Sequence, residues 1–129
     1  MFTDVRRLIV PVILSFTVHV SLAYAETHDF YKGKTIRIVV GFTAGGAFDV
    51  YSRTIARYMG QHIPGNPTII VDNMTGAGSL VAANHIYKAA NPDGLSIGNF
   101  IGGLFVGQVL GRPGIEFDAL KFEYLGSPM

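Results

Sequence analysis

The chain of 129 residues contains no cysteine. This excludes a disulfide framework, a thiolate metal site, a cysteine nucleophile and a lipid-bearing N-terminal cysteine. Charge is sparse as well: 15% of the residues are charged and the formal net charge is +1. The longest basic run is the pair Arg6-Arg7, whereas nucleic-acid binding calls for a clustered basic patch. Nucleic acid is therefore not an expected partner. There is no GK[ST] and hence no P-loop. The turn from Gly41 to Ala47 lacks G-x-G-x-x-G spacing, and Gly76-Ala77-Gly78 lacks the third glycine. No acidic residue closes the segment Leu95 to Phe100, where a ribose would need one. His28, His62 and His85 do not have metal-ligand spacing. No cofactor and no metal are expected.

The chain opens with Arg6 and Arg7 against Asp4, then a largely apolar stretch from Leu8 to Leu22, then Ala23-Tyr24-Ala25. A basic start, an apolar middle and an A-x-A exit make a signal peptide over residues 1–25, cleaved to leave Glu26 as the first residue. A membrane anchor is the competing reading. It needs roughly 20 apolar residues, and this stretch is interrupted by Ser15, Thr17, His19 and Ser21. Export to the periplasm is the expectation.

Beyond the leader, Ile36-Arg37-Ile38-Val39-Val40 is a short, mainly apolar run whose β-branched content and length read as a buried strand ending at Gly41. Asp49 to His62 has helical spacing. Val50, Tyr51, Ile55, Tyr58, Met59 and His62 are assigned to one apolar face, with Arg53 and Arg57 opposite. Ile63 to Pro67 breaks the helix, and Thr68 to Val71 reads as a second buried strand. Leu80 to Ala90 reads as a second helix with Ala83, Ile86, Tyr87 and Ala90 along a stripe. Asn91-Pro92-Asp93-Gly94 is a turn. Leu95 to Phe100 is a third strand, Gly103 to Leu110 a short helix, and Phe122 to Gly126 a fourth strand. Alternation of strand and helix predicts an α/β fold with a parallel sheet.

Two glycine-rich turns each follow a strand and open a helix. This places both at the carboxyl edge of the sheet, where open α/β folds bind ligands. Backbone amides at a helix start, together with its dipole, favour an anion. Gly45, Gly46 and Ala47 offer one cradle; Gly76, Ala77, Gly78 and Ser79 offer another, with the Ser79 hydroxyl as a further donor. The plain alternative is that these glycines serve tight turns and close helix packing. Asp49 has two readings also: a first-turn acid favoured by the helix dipole, or an acceptor for a ligand hydroxyl, ammonium or water. Ser79 lacks a visible His-Asp partner and a G-x-S-x-G elbow.

These residues carry a resemblance. Ile36 to Asp49, IRIVVGFTAGGAFD, resembles the first strand and loop of the tripartite tricarboxylate transporter receptors, the Bug family. Val71 to Ser79, VDNMTGAGS, resembles their second loop, commonly EN-x-PGAGS, and Leu80 to Gly98 resembles the helix, PDG turn and strand that follow. The resemblance runs from about Lys34 to the end of the chain. Phe48 stands where many members have Thr, and Thr75 where Pro is usual.

The resemblance implies a lobe of a fold like the type II periplasmic binding proteins, with an incomplete parallel sheet. Residues 26–129 would form the N-terminal part of that lobe, and the second lobe is missing. It implies a receptor rather than an enzyme, one that captures a small organic carboxylate and delivers it to membrane permease subunits. The ligand positions carried over are Thr43, Ala44, Gly45, Gly46, Ala47 and Asp49 in the first loop, and Thr75, Gly76, Ala77, Gly78 and Ser79 in the second. Two other readings stand beside it: part of an exported hydrolase-like α/β enzyme using Ser79 or Asp49, or a truncated remnant that binds nothing.

Overall fold

The computed structural model describes residues 30–127. The leader assigned to residues 1–25 lies outside them. Strand β1 (Thr35–Val40) leads into helix α1 (Ala47–Met59), which ends in a 3₁₀ turn at Gly60–His62. Strand β2 (Thr68–Asn73), helix α2 (Leu80–Lys88), strand β3 (Ser96–Asn99) and helix α3 (Gly103–Val109) follow. The three strands form one parallel sheet in the order β2-β1-β3. The α/β reading with a parallel sheet therefore holds.

β1 is central because its residues tolerate burial on both faces. Ile36, Ile38, Val39 and Val40 are all buried, as expected of a strand sandwiched between helices. Register fixes which side chains share a face. Val40 is aligned with Asn73 on one side and with Asn99 on the other. All three point toward α1, since the side chains of both asparagines hydrogen-bond to that helix. One residue on, Gly41 turns to the opposite face and meets α2. A Cβ there would overlap Ser79 Cβ and lie 2.9 Å from Ser79 Cα. Only glycine allows so close an approach.

The main apolar cluster lies on the α2 side. Leu80 and Ala83 of α2, Leu104 of α3 and Phe117 form its buried part, with Tyr87, Phe100, Phe105, Ile115, Ala119 and Phe122 packed around them. Phe105 has ring contacts with Phe100, Phe117, Phe122 and Tyr124 at 5.4–6.3 Å between centroids. Asn84 of α2 pins the connection after α3 by donating to the Gly114 carbonyl and accepting the Glu116 amide.

Three expectations are corrected. The assigned apolar face of α1 does not face the sheet: Val50, Tyr51, Ile55 and Tyr58 are exposed, and the helix buries Asp49 and Ser52 instead. The strand ends beneath α1 present asparagines, so the matching helix face is polar. Second, β2 is an edge strand, not a strand buried on both sides; Thr68 and Ile70 are exposed. Third, Phe122 to Gly126 is not a strand. A 3₁₀ turn at Ala119–Lys121 precedes it, and the segment runs without sheet pairing. Phe122 plugs the aromatic cluster, and the Tyr124 hydroxyl donates to the Ala119 carbonyl at 2.7 Å.

Candidate functional site

The carboxyl ends of the three strands are tied together before any loop leaves them. The Gly41 amide donates to the Asn99 carbonyl at 2.9 Å, and the Met74 amide donates to the Val40 carbonyl at 2.8 Å. Three loops leave this edge: residues 41–46, 74–79 and 100–102. The first two loops lead into α1 and α2 on opposite faces of the sheet, and the carboxyl edge is where open α/β sheets bind ligands.

The first loop is braced from within. The Gly45 amide donates to Asp49 Oδ2 at 2.8 Å, and the Gly46 amide donates to the Thr43 carbonyl at 3.2 Å. These two amides, assigned to a ligand cradle from sequence, already have protein acceptors. The amides of Ala47 and Phe48 open α1, where a helix offers no carbonyl partner. Thr43, Ala44, Gly45 and Ala47 are exposed, and Gly46 is half-buried as the N-cap. Phe48 stacks on Phe42 at 4.3 Å between centroids, closing one wall of the loop.

Asp49 is 2% exposed and has both oxygens engaged. Oδ2 accepts from Gly45 and from Arg53 Nε at 2.9 Å; Oδ1 accepts from Asn73 Nδ2 at 2.9 Å. The Arg53 guanidinium, then the Gly45 amide, then the Asn73 amide outweigh the cost of burial and hold this carboxyl at about 2, below its usual 3.8. The carboxylate in turn raises the pKa of Arg53. Asn73 also donates to the Phe42 carbonyl at 2.9 Å and accepts from Arg53 Nη2 at 3.0 Å. On the far side of β1, Asn99 donates to Ser52 Oγ at 2.7 Å and to the Phe48 carbonyl at 3.4 Å.

The second loop has an unusual backbone. Gly76, Ala77, Gly78 and Ser79 all have positive φ, at 141°, 47°, 62° and 68°. Such angles are strained for Ala77 and Ser79. Thr75, Ala77 and Gly78 are exposed, and Gly76 is half-buried. Ser79 is fully buried, and its Oγ accepts the Ile101 amide at 3.1 Å. The hydroxyl, assigned from sequence as a further donor of the cradle, thus links the second loop to the third.

The structure therefore gathers the assigned residues of both loops at one edge. Sequence reasoning missed Ser52, Arg53, Asn73, Asn99 and Ile101. A signal was present for two of them, since Asn73 and Asn99 are the polar residues that close β2 and β3. Asn73-Met74-Thr75 also reads as a glycosylation sequon, but the Asn73 side chain is occupied by Phe42, Asp49 and Arg53. His62 is exposed, and no cluster of metal-ligating side chains forms among the described residues.

A parallel three-stranded sheet with glycine-rich loops at its carboxyl edge defines an α/β frame. No protein-family model matches the chain. Individual proteins do. A UPF0065 protein of Cupriavidus necator is 38% identical over 69 residues, covering 54% of this chain and 20% of that protein. A UPF0065 protein of Agrobacterium vitis is 34% identical over 70 residues, covering 54% and 19%. The protein BugT of Bordetella pertussis is 32% identical over 75 residues, covering 58% and 22%. The chain is thus related to the UPF0065 and Bug proteins, the family its two loops resemble. The matches span about a fifth of the length of these relatives.

Proposed function

We propose that the chain carries the ligand edge of a periplasmic solute-binding receptor of the tripartite tricarboxylate transporter type. It captures a small organic carboxylate and passes it to membrane permease subunits, after export directed by residues 1–25. The carrying observation is the second loop. Four successive residues at positive φ, two of them not glycine, sit beside the first loop at the sheet's carboxyl edge. Strained backbone of this kind persists where surrounding contacts enforce it, and it concentrates at ligand sites. The opening amides of α1 and the exposed Ala77 and Gly78 then form the seat for a carboxylate. Thr43, Ala44 and Thr75 line it. Gly45, Gly46, Asp49 and Ser79 shape it from behind. Binding, not turnover, is the activity this supports, because the Ser79 hydroxyl is buried against the Ile101 amide.

The test is a pair of substitutions at Gly78, whose φ is +62° and whose missing Cβ faces open space. Asn and Asp both tolerate positive φ. The gene product isolated from its own host is titrated calorimetrically with a panel of di- and tricarboxylates. Saturable binding is expected for the wild type. Gly78→Asn should weaken it by crowding, and Gly78→Asp should weaken it further by like-charge repulsion. Equal affinity in the wild type and Gly78→Asp would remove the seat from this loop.

A further inference from the structure

The two loops that form the proposed seat belong to different strands, so something must fix the gap between them. β2 ends at Asn73, and the second loop begins at the next residue. The Asn73 side chain reaches back across the sheet edge to the first loop. Its Nδ2 donates to the Phe42 carbonyl at 2.9 Å and to Asp49 Oδ1 at 2.9 Å. Its Oδ1 accepts Arg53 Nη2 at 3.0 Å, and Arg53 Nε grips the other oxygen of Asp49. Asp49 in turn holds the Gly45 amide at 2.8 Å. The path from the second loop's root to the first loop's tip is therefore a continuous set of hydrogen bonds with one asparagine at its centre.

We propose that Asn73 is a positioning residue for the ligand site: from the root of the second loop it holds the first loop through Phe42 and Asp49, and so sets the spacing of the two. This rests on the reading that the loops hold a ligand. The chemistry requires an amide at this position. Two donors and one acceptor are used, and an amide supplies all three. A carboxylate of the same shape supplies no donor and places a second negative charge against Asp49. Ser or Ala fills too little space to reach both partners.

The charged groups around this point are few. Arg53 of α1 lies against both Asp49 and Asn73. Asp72 of β2 points to the opposite face, where Arg37 of β1 pairs with it at 2.8 Å. Ser52 of α1 and Asn99 of β3 are uncharged neighbours on the same face. An aspartate at position 73 would therefore share its environment with Asp49 and Arg53, and one carboxyl of the pair would take up a proton more readily than an isolated one. A protonated carboxyl regains a donor.

The experiment uses Asn73→Asp in the complete gene product and reads the Gly45 amide by NMR without ligand. In the wild type this resonance should stay fixed between about pH 4 and about pH 8, because Asp49 remains ionised. In Asn73→Asp it should sit at a different position near neutral pH and return toward the wild-type position as the pH falls. Carboxylate affinity near neutral pH should drop by about tenfold or more, the size of one displaced hydrogen bond to a charged group. A purely structural role would lower the melting temperature without a pH-dependent return of the Gly45 signal. A Gly45 resonance identical in both proteins across the range would overturn the proposal. If Asn73→Asp fails to fold, Arg53→Gln at a half-exposed position serves in its place. It should displace the same resonance in the same direction, and no displacement would equally overturn the coupling. A wild type that binds no carboxylate while Gly45 responds as described would overturn the receptor reading and support the coupling.

Discussion

Asp49 holds the Gly45 amide at 2.8 Å, four residues back along the chain, and so closes the first loop onto the start of α1. The bond depends on charge. With its carboxyl held at about 2 against an ordinary 3.8, Asp49 binds fewer protons folded than unfolded in the acid range. Its contribution to stability is therefore fully present above the unfolded value and is lost as pH falls through the folded value. Urea unfolding of the wild type and Asp49→Asn should show a constant stability gap above about pH 5, narrowing between about pH 4 and about pH 2. A gap that widened on acidification would contradict the ion pair with Arg53.

The limits of what the sequence reveals are clear at this helix. β1 was legible because Ile36, Ile38, Val39 and Val40, interrupted only by Arg37 and followed by Gly41, suit a buried strand and little else. The start of β2 after Pro67, the start of α2 and the turn at Asn91 to Gly94 were legible because glycine and proline chemistry is local. The orientation of α1 was not. Periodicity finds an apolar face but cannot show what lies beneath, and here the neighbouring strands end in Asn73 and Asn99. Those two meet around Val40 only through the register of the sheet, which is a non-local property. Phe122 to Gly126 misled for a related reason: an aromatic residue that plugs a cluster looks in sequence like one that packs on a sheet.

The reversed face of α1 gives a direct check. Tyr51 and Tyr58 are 46% and 53% exposed, so replacing either with Lys should change stability by no more than about 0.5 kcal/mol. Ser52 is 1% exposed and receives Asn99 Nδ2. Replacing it with Leu both overpacks the helix–sheet contact and strips Asn99 of a partner, at a cost of about 2–4 kcal/mol. Denaturant melts of the three variants decide it. A larger loss for Tyr58→Lys than for Ser52→Leu would restore the orientation expected from periodicity.

Gly41 makes a separate demand. The added methyl of Gly41→Ala has no room beside Ser79, and the neighbour is backbone as well as side chain. The second loop must lift from the end of β1. Overpacking of this order costs about 1–3 kcal/mol. The displacement should also appear at Ile101, whose amide bonds to Ser79, as faster hydrogen exchange than in the wild type. Unchanged exchange at Ile101 together with unchanged stability would mean that the loop does not sit as close to β1 as described.

Ser79 itself separates the two demands on the second loop. Its backbone is at φ +68°, its side chain is fully buried, and its oxygen receives the Ile101 amide. Ser79→Ala keeps the strained angle and removes the acceptor, leaving a part-buried amide unpaired at a cost of about 1–3 kcal/mol. Ser79→Gly removes the same acceptor but relieves the angle, which is worth roughly 1–2 kcal/mol to an L-residue. Part of that relief is offset by the greater freedom of glycine in the unfolded chain, about 0.5–1 kcal/mol. The glycine variant should therefore be the more stable of the two, with both below the wild type. Melting the three proteins under one condition gives the order. An alanine variant as stable as the wild type would show that the hydroxyl does not hold the third loop, and the link between the second and third loops would then rest on packing alone.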